Sequence, residues 1–188
     1  MKSINANGHM AGFTVTELVV VMLVVAILAA IAVPSFKYVT TSNRLAGEIN
    51  GLLGDMQFAR SEAIKQGLPV TVCSSGGGTS CANSHWQNGW IVFLDSNGSQ
   101  QVDAGETIIR SRPSFSANGD TLQPFNNITF SAITFNREGY ATLNTGNAAT
   151  PVTLLLHDST AQSQWTRCLY ITPVGMLSTQ RPPTGNCS

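Results

Sequence analysis

The chain has 188 residues, with ten basic and ten acidic side chains, and only 11% of it is charged. That length suits one globular domain plus an extra element. The balanced charge excludes the strong positive field of a dedicated nucleic-acid binder.

Residues 1–12 are short and polar, with one cation, Lys2. From Phe13 to Val33 there is a single charge, Glu17, and Leu18–Val33 is unbroken apolar sequence. A stretch of about 20 apolar residues crosses a bilayer core as a helix. A cleaved secretory signal is the competing reading, with Lys2 as its basic end and Ala30-Ile31-Ala32 as a small-x-small cleavage site. Two features oppose it. Glu17 sits inside the apolar run, where a carboxylate costs about 2.5–3.5 kcal/mol on insertion scales. Helical patterning also continues past Ala32, through Phe36, Tyr38, Val39, Leu45, Ile49, Leu52, Leu53, Met56, Phe58, Ala59 and Ala63. Most of these stand three or four apart, the mark of one buried face. Lys37, Arg44, Glu48, Asp55 and Arg60 fall between them. The pattern predicts one helix from about Phe13 to Lys65, roughly 80 Å long. Its first half is compatible with lipid all round and its second half is amphipathic. Pro34 marks a kink at the join, because it removes a backbone donor and crowds the preceding turn.

Gly12-Phe13-Thr14-Val15-Thr16-Glu17-Leu18, followed by the apolar run and Pro34, resembles the type IV prepilin signature. The resemblance implies that a prepilin peptidase cuts the Gly12–Phe13 bond and methylates the new N-terminal Phe13. It makes Glu17 the assembly glutamate. After such a cut Glu17 is the fifth residue, near the positive end of the helix dipole. There it would pair with the Phe13 amine of a neighbouring subunit, since acids within membrane segments rarely lack partners. Later stretches are similar to the GspH/FimT family of minor pilins and minor pseudopilins, the FimU-like proteins among them: Met56–Ala63, Val70–Cys73, Trp90–Asp95 and Asp103–Arg110. These motifs do not separate a pilus subunit from a type II secretion pseudopilus subunit. The leader departs from the commonest pattern in having Ala11, not a basic residue, before Gly12.

After Gly67-Leu68-Pro69 the period becomes strand-like. Short β-branched or aromatic runs at Val70–Cys73, Gly89–Leu94, Thr107–Arg112, Ile128–Phe130, Ile133–Asn136, Ala141–Leu143, Val152–His157 and Cys168–Thr172 lie between Gly, Asn, Ser and Pro clusters. The expected fold is α+β: a long N-terminal helix, membrane-spanning in its first half, packed on an antiparallel head. The family resemblance implies a β-sandwich-like head of the type IV pilin kind. The domain reading is a leader at 1–12, a transmembrane and assembly helix at 13–34, its amphipathic continuation at 35–66 and a head at 67–188.

Four cysteines allow three pairings. Cys73–Cys81 and Cys168–Cys187 are favoured because each closes a local loop, and such bonds persist in an oxidising compartment. No Cys-x-x-Cys pair is present to suggest zinc, and no metal is expected. The loop from Asp95 to Glu106 places oxygens as an EF-hand does, but Gln100 stands where that loop requires Gly, so an Asn97-Gly98 hairpin turn is the better reading. His9, His85 and His157 sit in no catalytic motif, and neither an enzyme nor a cofactor is expected. Trp86, Trp90 and Trp165 read as core.

Some members of the resembled family bind DNA through a Gly-Arg-x-Arg motif. The matching place here is Gly175-Met176-Leu177-Ser178, and both arginine positions are lost. Arg167 and Arg181 are the nearby candidates for DNA contact. Phosphate contacts each need a cation, and two scattered arginines usually form a solvated face. The resemblance therefore implies a minor pilin that primes a pilus tip. A pseudopilus subunit of a secretion machine and a DNA receptor are the alternatives. Implied partners are other minor pilins and the major pilin through the N-terminal helices, and the prepilin peptidase. The precursor is expected in the inner membrane with its head in the periplasm, and later in the pilus at the cell surface.

Overall fold

The computed structural model describes residues 12–82, 85–115, 119–125, 128–144, 151–182 and 187. Most of the leader, with Lys2 and His9, lies outside the described residues. Helix α1 spans Val15–Gln66. Thr14 starts it: its Oγ1 accepts from the Glu17 N–H at 3.2 Å, and its carbonyl accepts from the Leu18 N–H at 3.1 Å. Thr14-x-x-Glu17 is the sequence form of a capping box. At the far end Gly67 takes φ +67°, and its N–H returns to the Ala63 carbonyl at 3.0 Å. Pro69 follows, where a helix could not continue. The helical assignment runs through Pro34 without a break.

The chain divides into two compact units, one ending at Thr40 and one beginning at Thr41. In the first, every described residue is exposed, including Phe36, Tyr38 and Val39. The buried stripe of α1 therefore starts later than the sequence pattern suggested. It runs through Leu45, Ile49, Leu52, Met56, Ala59 and Ala63, all in the second unit. Those spacings of three and four put six apolar side chains on one line, facing the head.

Among the described residues the head carries nine strands: β1 Val70–Ser74, β2 Trp90–Leu94, β3 Ile108–Arg112, β4 Thr121–Pro124, β5 Ala132–Phe135, β6 Ala141–Leu143, β7 Val152–His157, β8 Arg167–Ile171 and β9 Leu177–Gln180. They form two sheets, ordered β3-β2-β1-β5-β6 and β4-β7-β8-β9, and each strand pairing is antiparallel. This is the α+β arrangement expected. Strand β1 is buried along its whole length. Val70 and Val72 join the main core with the α1 stripe, Trp86, Leu154, Leu156 and Leu169. Its other side meets a smaller cluster of Cys73, Ile91, Phe93 and Ala132, with Val102 and Ile108 packed against it. Strand β7 alternates buried and half-buried residues, as a one-faced strand must.

Two strands, β4 and β9, were not foreseen, and one expected strand is absent. Ile128–Phe130 is irregular, although Phe130 is buried. The Phe130 carbonyl accepts from Trp86 Nε1 at 3.2 Å, and its ring meets the Trp86 ring edge-on at 6.0 Å. The aromatic signal there reports burial, not extended pairing.

Candidate functional site

Residues 12–40 contain only two charged side chains, Glu17 and Lys37. Phe13 is 84% exposed, and Leu18 to Val33 present no buried side chain. By length and composition this part of α1 suffices to cross a membrane. Glu17 stands in the first turn, where a carboxylate is favoured by the unpaired N–H groups and the dipole. The capping-box position accounts locally for its presence, a signal readable as Thr14-x-x-Glu17.

The head holds a constellation that the sequence did not disclose. In the sequence Asp55 stands among the charges that fall between apolar positions, and it is fully buried. Arg110 Nη1 donates to Asp55 Oδ1 at 2.8 Å, Arg112 Nε donates to Oδ2 at 2.8 Å, and Trp90 Nε1 donates to Oδ2 at 3.0 Å. Strand alternation puts Arg110 and Arg112 on one side of β3. The Arg110 guanidinium also lies 3.5 Å from the centroid of the Phe58 ring. Burial alone would raise the Asp55 pKa, but the hydrogen bonds from Arg112, Arg110 and Trp90 outweigh it and hold the carboxyl below its ordinary value. The chemistry available is fastening: one helix carboxylate ties α1 to β2 and β3. The signal was present as Arg-x-Arg on a strand and an Asp beside the apolar stripe.

A second acidic group lies about two turns earlier on α1. Glu48 faces Asp120, which precedes β4, and burial pushes both carboxyls upward. Arg44 Nη1 approaches Asp120 Oδ2 at 3.1 Å. Farther along, Arg60 clamps two turns. Its Nε donates to the Gly139 carbonyl at 3.0 Å and its Nη2 to the Val174 carbonyl at 3.4 Å. Those turns join β5 to β6 and β8 to β9, one from each sheet. Gly175 has φ +74°, and a Cβ there would collide with the Gly139 carbonyl.

The candidate DNA contacts are not equivalent. Arg167 is buried, and its Nη1 donates to the Thr166 carbonyl at 2.9 Å while Nη2 donates to Ser42 Oγ at 3.0 Å. It joins α1 to β8 from inside the head. Arg181 is exposed. The Asp95–Glu106 loop spends its carboxylates on itself and on neighbouring β1. Asp95 accepts from the Ser99 and Gln100 N–H groups and from Thr71 Oγ1, Asp103 from Asn97 and Ser99, and Glu106 from the Ser96 and Asp103 N–H groups. Both disulfides are closed: Cys73–Cys81 with Cα atoms 5.5 Å apart, and Cys168–Cys187 at 5.8 Å. All three tryptophans are buried.

A family model described as "Type II transport protein GspH" matches residues 48–175. Among curated protein sequences none matches the chain significantly. The type IV minor pilin FimU of Pseudomonas aeruginosa, in one crystal form, is 22% identical, with a TM-score of 0.54 over 80% of this chain and 95% of that one. In a second crystal form it gives 20% identity and a TM-score of 0.51, over 76% and 98%. The minor pseudopilin EpsH of the Vibrio cholerae type 2 secretion system is 11% identical, with a TM-score of 0.48 over 71% and 94%. At these identities the FimU likeness is one of fold, the type IV pilin fold.

Proposed function

The chain belongs to the GspH family, and from that premise we propose that it is a minor type IV pilin, made as a membrane-inserted precursor and built into a pilus. The observation that carries this reading is the first unit. It is a capped helix of exposed apolar residues with Gly12-Phe13 before it and Glu17 in its first turn. An apolar surface of that extent is stable only against lipid or other apolar helices. A prepilin peptidase cuts the Gly12–Phe13 bond and methylates Phe13. The helix then leaves the inner membrane and packs against those of other minor pilins and the major pilin. Glu17 pairs with a neighbouring Phe13 amine, which removes a buried charge and sets axial register. The head, oxidised in the periplasm, reaches the cell surface at the filament tip. The chain performs no chemistry.

The wording of the family description supports a second reading, a minor pseudopilin of a type II secretion system. The two differ in which filament contains the chain, so co-isolation with pili or with a secretion pseudopilus separates them. A DNA receptor is the weakest reading, because Arg167 is engaged inside the head. Salt-sensitive DNA binding would revive it.

Intact-mass analysis of the membrane-extracted protein tests the proposal. A chain beginning at N-methylated Phe13 is expected, whereas one beginning at Val33 would make this an ordinary secreted domain. Replacing Glu17 by Ala should stop incorporation into filaments and leave the melting temperature of the head unchanged. Normal incorporation of that variant would remove Glu17 from the assembly step.

A further inference from the structure

Ionised carboxylates only accept hydrogen bonds, so a buried carboxylate oxygen needs a donor. Glu48 has none for either oxygen: Oε1 and Oε2 are shielded from solvent and lack a hydrogen-bond partner, as does Asp120 Oδ2. Arg44 comes within 3.1 Å of Asp120 Oδ2, but that atom is still without an aligned N–H. Two acids facing each other with no other donor are satisfied when one of them is protonated and donates to the other. We propose that Glu48 and Asp120 hold one proton between them, and that its loss loosens the start of β4 from α1.

The surroundings favour the shared proton. Burial disfavours charge on Glu48, the charge of Asp120 adds to this, and Arg44 on the same helix opposes it incompletely, leaving Glu48 raised to about 7. Asp120 is raised as well, first by burial and further by Asp158, against the opposing influence of Arg44, Glu48 and His157. His157 and Asp158 stand at the end of β7, the strand that pairs with β4. Arg112 of β3 is committed to Asp55, so Arg44 is the cation that faces the pair. Deprotonation leaves two carboxylates against that one guanidinium. Strand β4 is poorly placed to resist. It is a four-residue edge strand with β7 as its single neighbour in the sheet, ending in a proline that cannot donate to the ladder. Beside the pair lies a groove of about 330 Å³ lined by Arg44, Glu48, Gly51, Trp90, Arg112 and Phe115. Glu48 lines this groove, which opens toward solvent and gives the proton a path out. The site thus makes the head's grip on its own edge strand depend on pH near neutrality.

An acid raised in the folded state stabilises the fold below its unfolded value, and that contribution is lost as pH rises through the folded value. The window for Glu48 therefore runs from 4.5 to about 7. The test uses the full chain in detergent micelles. Between about pH 5 and about pH 8 the melting temperature of the wild type should fall by roughly 4 °C. Infrared spectra should show a protonated carboxyl band that disappears over the same range. Glu48→Gln places an amide donor where the proton was, so it should abolish both the band and the fall. Asp120→Asn should do the same from the other side. His157→Gln should keep both. The inference is overturned if Glu48→Gln retains the wild-type fall, or if only His157→Gln removes it. It is equally overturned if the wild type shows no protonated carboxyl above about pH 5. Should Glu48→Gln not fold, the wild-type band and Asp120→Asn decide the matter.

Discussion

One helix passes through two environments. Up to Thr40 every described residue of α1 is exposed, and apolar side chains lie on all its sides. From Thr41 on, the same helix narrows its buried surface to a stripe from Leu45 to Ala63. Its charges are answered within the head: Arg44 by Asp120, Asp55 by Arg110 and Arg112, and Lys65 by Glu62. The first part is written for surroundings that this chain does not supply, and the second for a core that it does. Helix propensity cannot distinguish them. The distribution of apolar side chains around the axis can.

The sharpest way to break this contrast is to remove the charge that the head has internalised. Asp55→Ala should destabilise the head by about 3–5 kcal/mol, because Arg110, Arg112 and Trp90 lose their acceptor together. Chemical denaturation followed by the three core tryptophans reads this loss. The folded pKa of Asp55 is depressed, so its contribution is present at neutral pH and lost as pH falls through that value. That is opposite in sign to Glu48, and acid should narrow the difference between wild type and Asp55→Ala. Next comes a matched pair of truncations. Leu52→Ala should cost the head about 2–5 kcal/mol. Leu23→Ala, in the first unit, should leave head stability within about 0.5 kcal/mol of wild type. Equal effects would mean that the two parts of α1 are not energetically separate. A smaller effect should follow from replacing Cys168 and Cys187 by Ser together, which opens a 19-residue separation. The loss should be about 3 kcal/mol or less by loop-closure entropy, measured against the same pair of Leu variants.

Much of this was legible. The helix announced itself by period and by Gly67 and Pro69 at its end, whereas the Thr14-x-x-Glu17 cap at its start came to light with the structure. Interior strands such as β1, β2 and β7 were legible because β-branched runs there are buried and paired on both sides. Strands β4 and β9 were not. They lie at the edges of their sheet, and each has one large apolar residue, Leu122 or Leu177. Register and pairing there come from neighbours, not from local preference. The candidate site divides in the same way. Gly12, Phe13 and Glu17 form a local pattern, whereas Asp55 meets Arg110 and Arg112 across more than fifty residues, and Glu48 meets Asp120 across seventy-two. Arg167 looked like a surface cation because sequence does not record that Ser42 would reach it.

The Arg60 clamp has a mechanical consequence. One side chain on α1 grips the hairpin turns of two different sheets, and the turns lie so close that a Cβ on Gly175 would collide with the Gly139 carbonyl. A tensile load entering the head along α1 is therefore shared between two hairpins at that point instead of unzipping one.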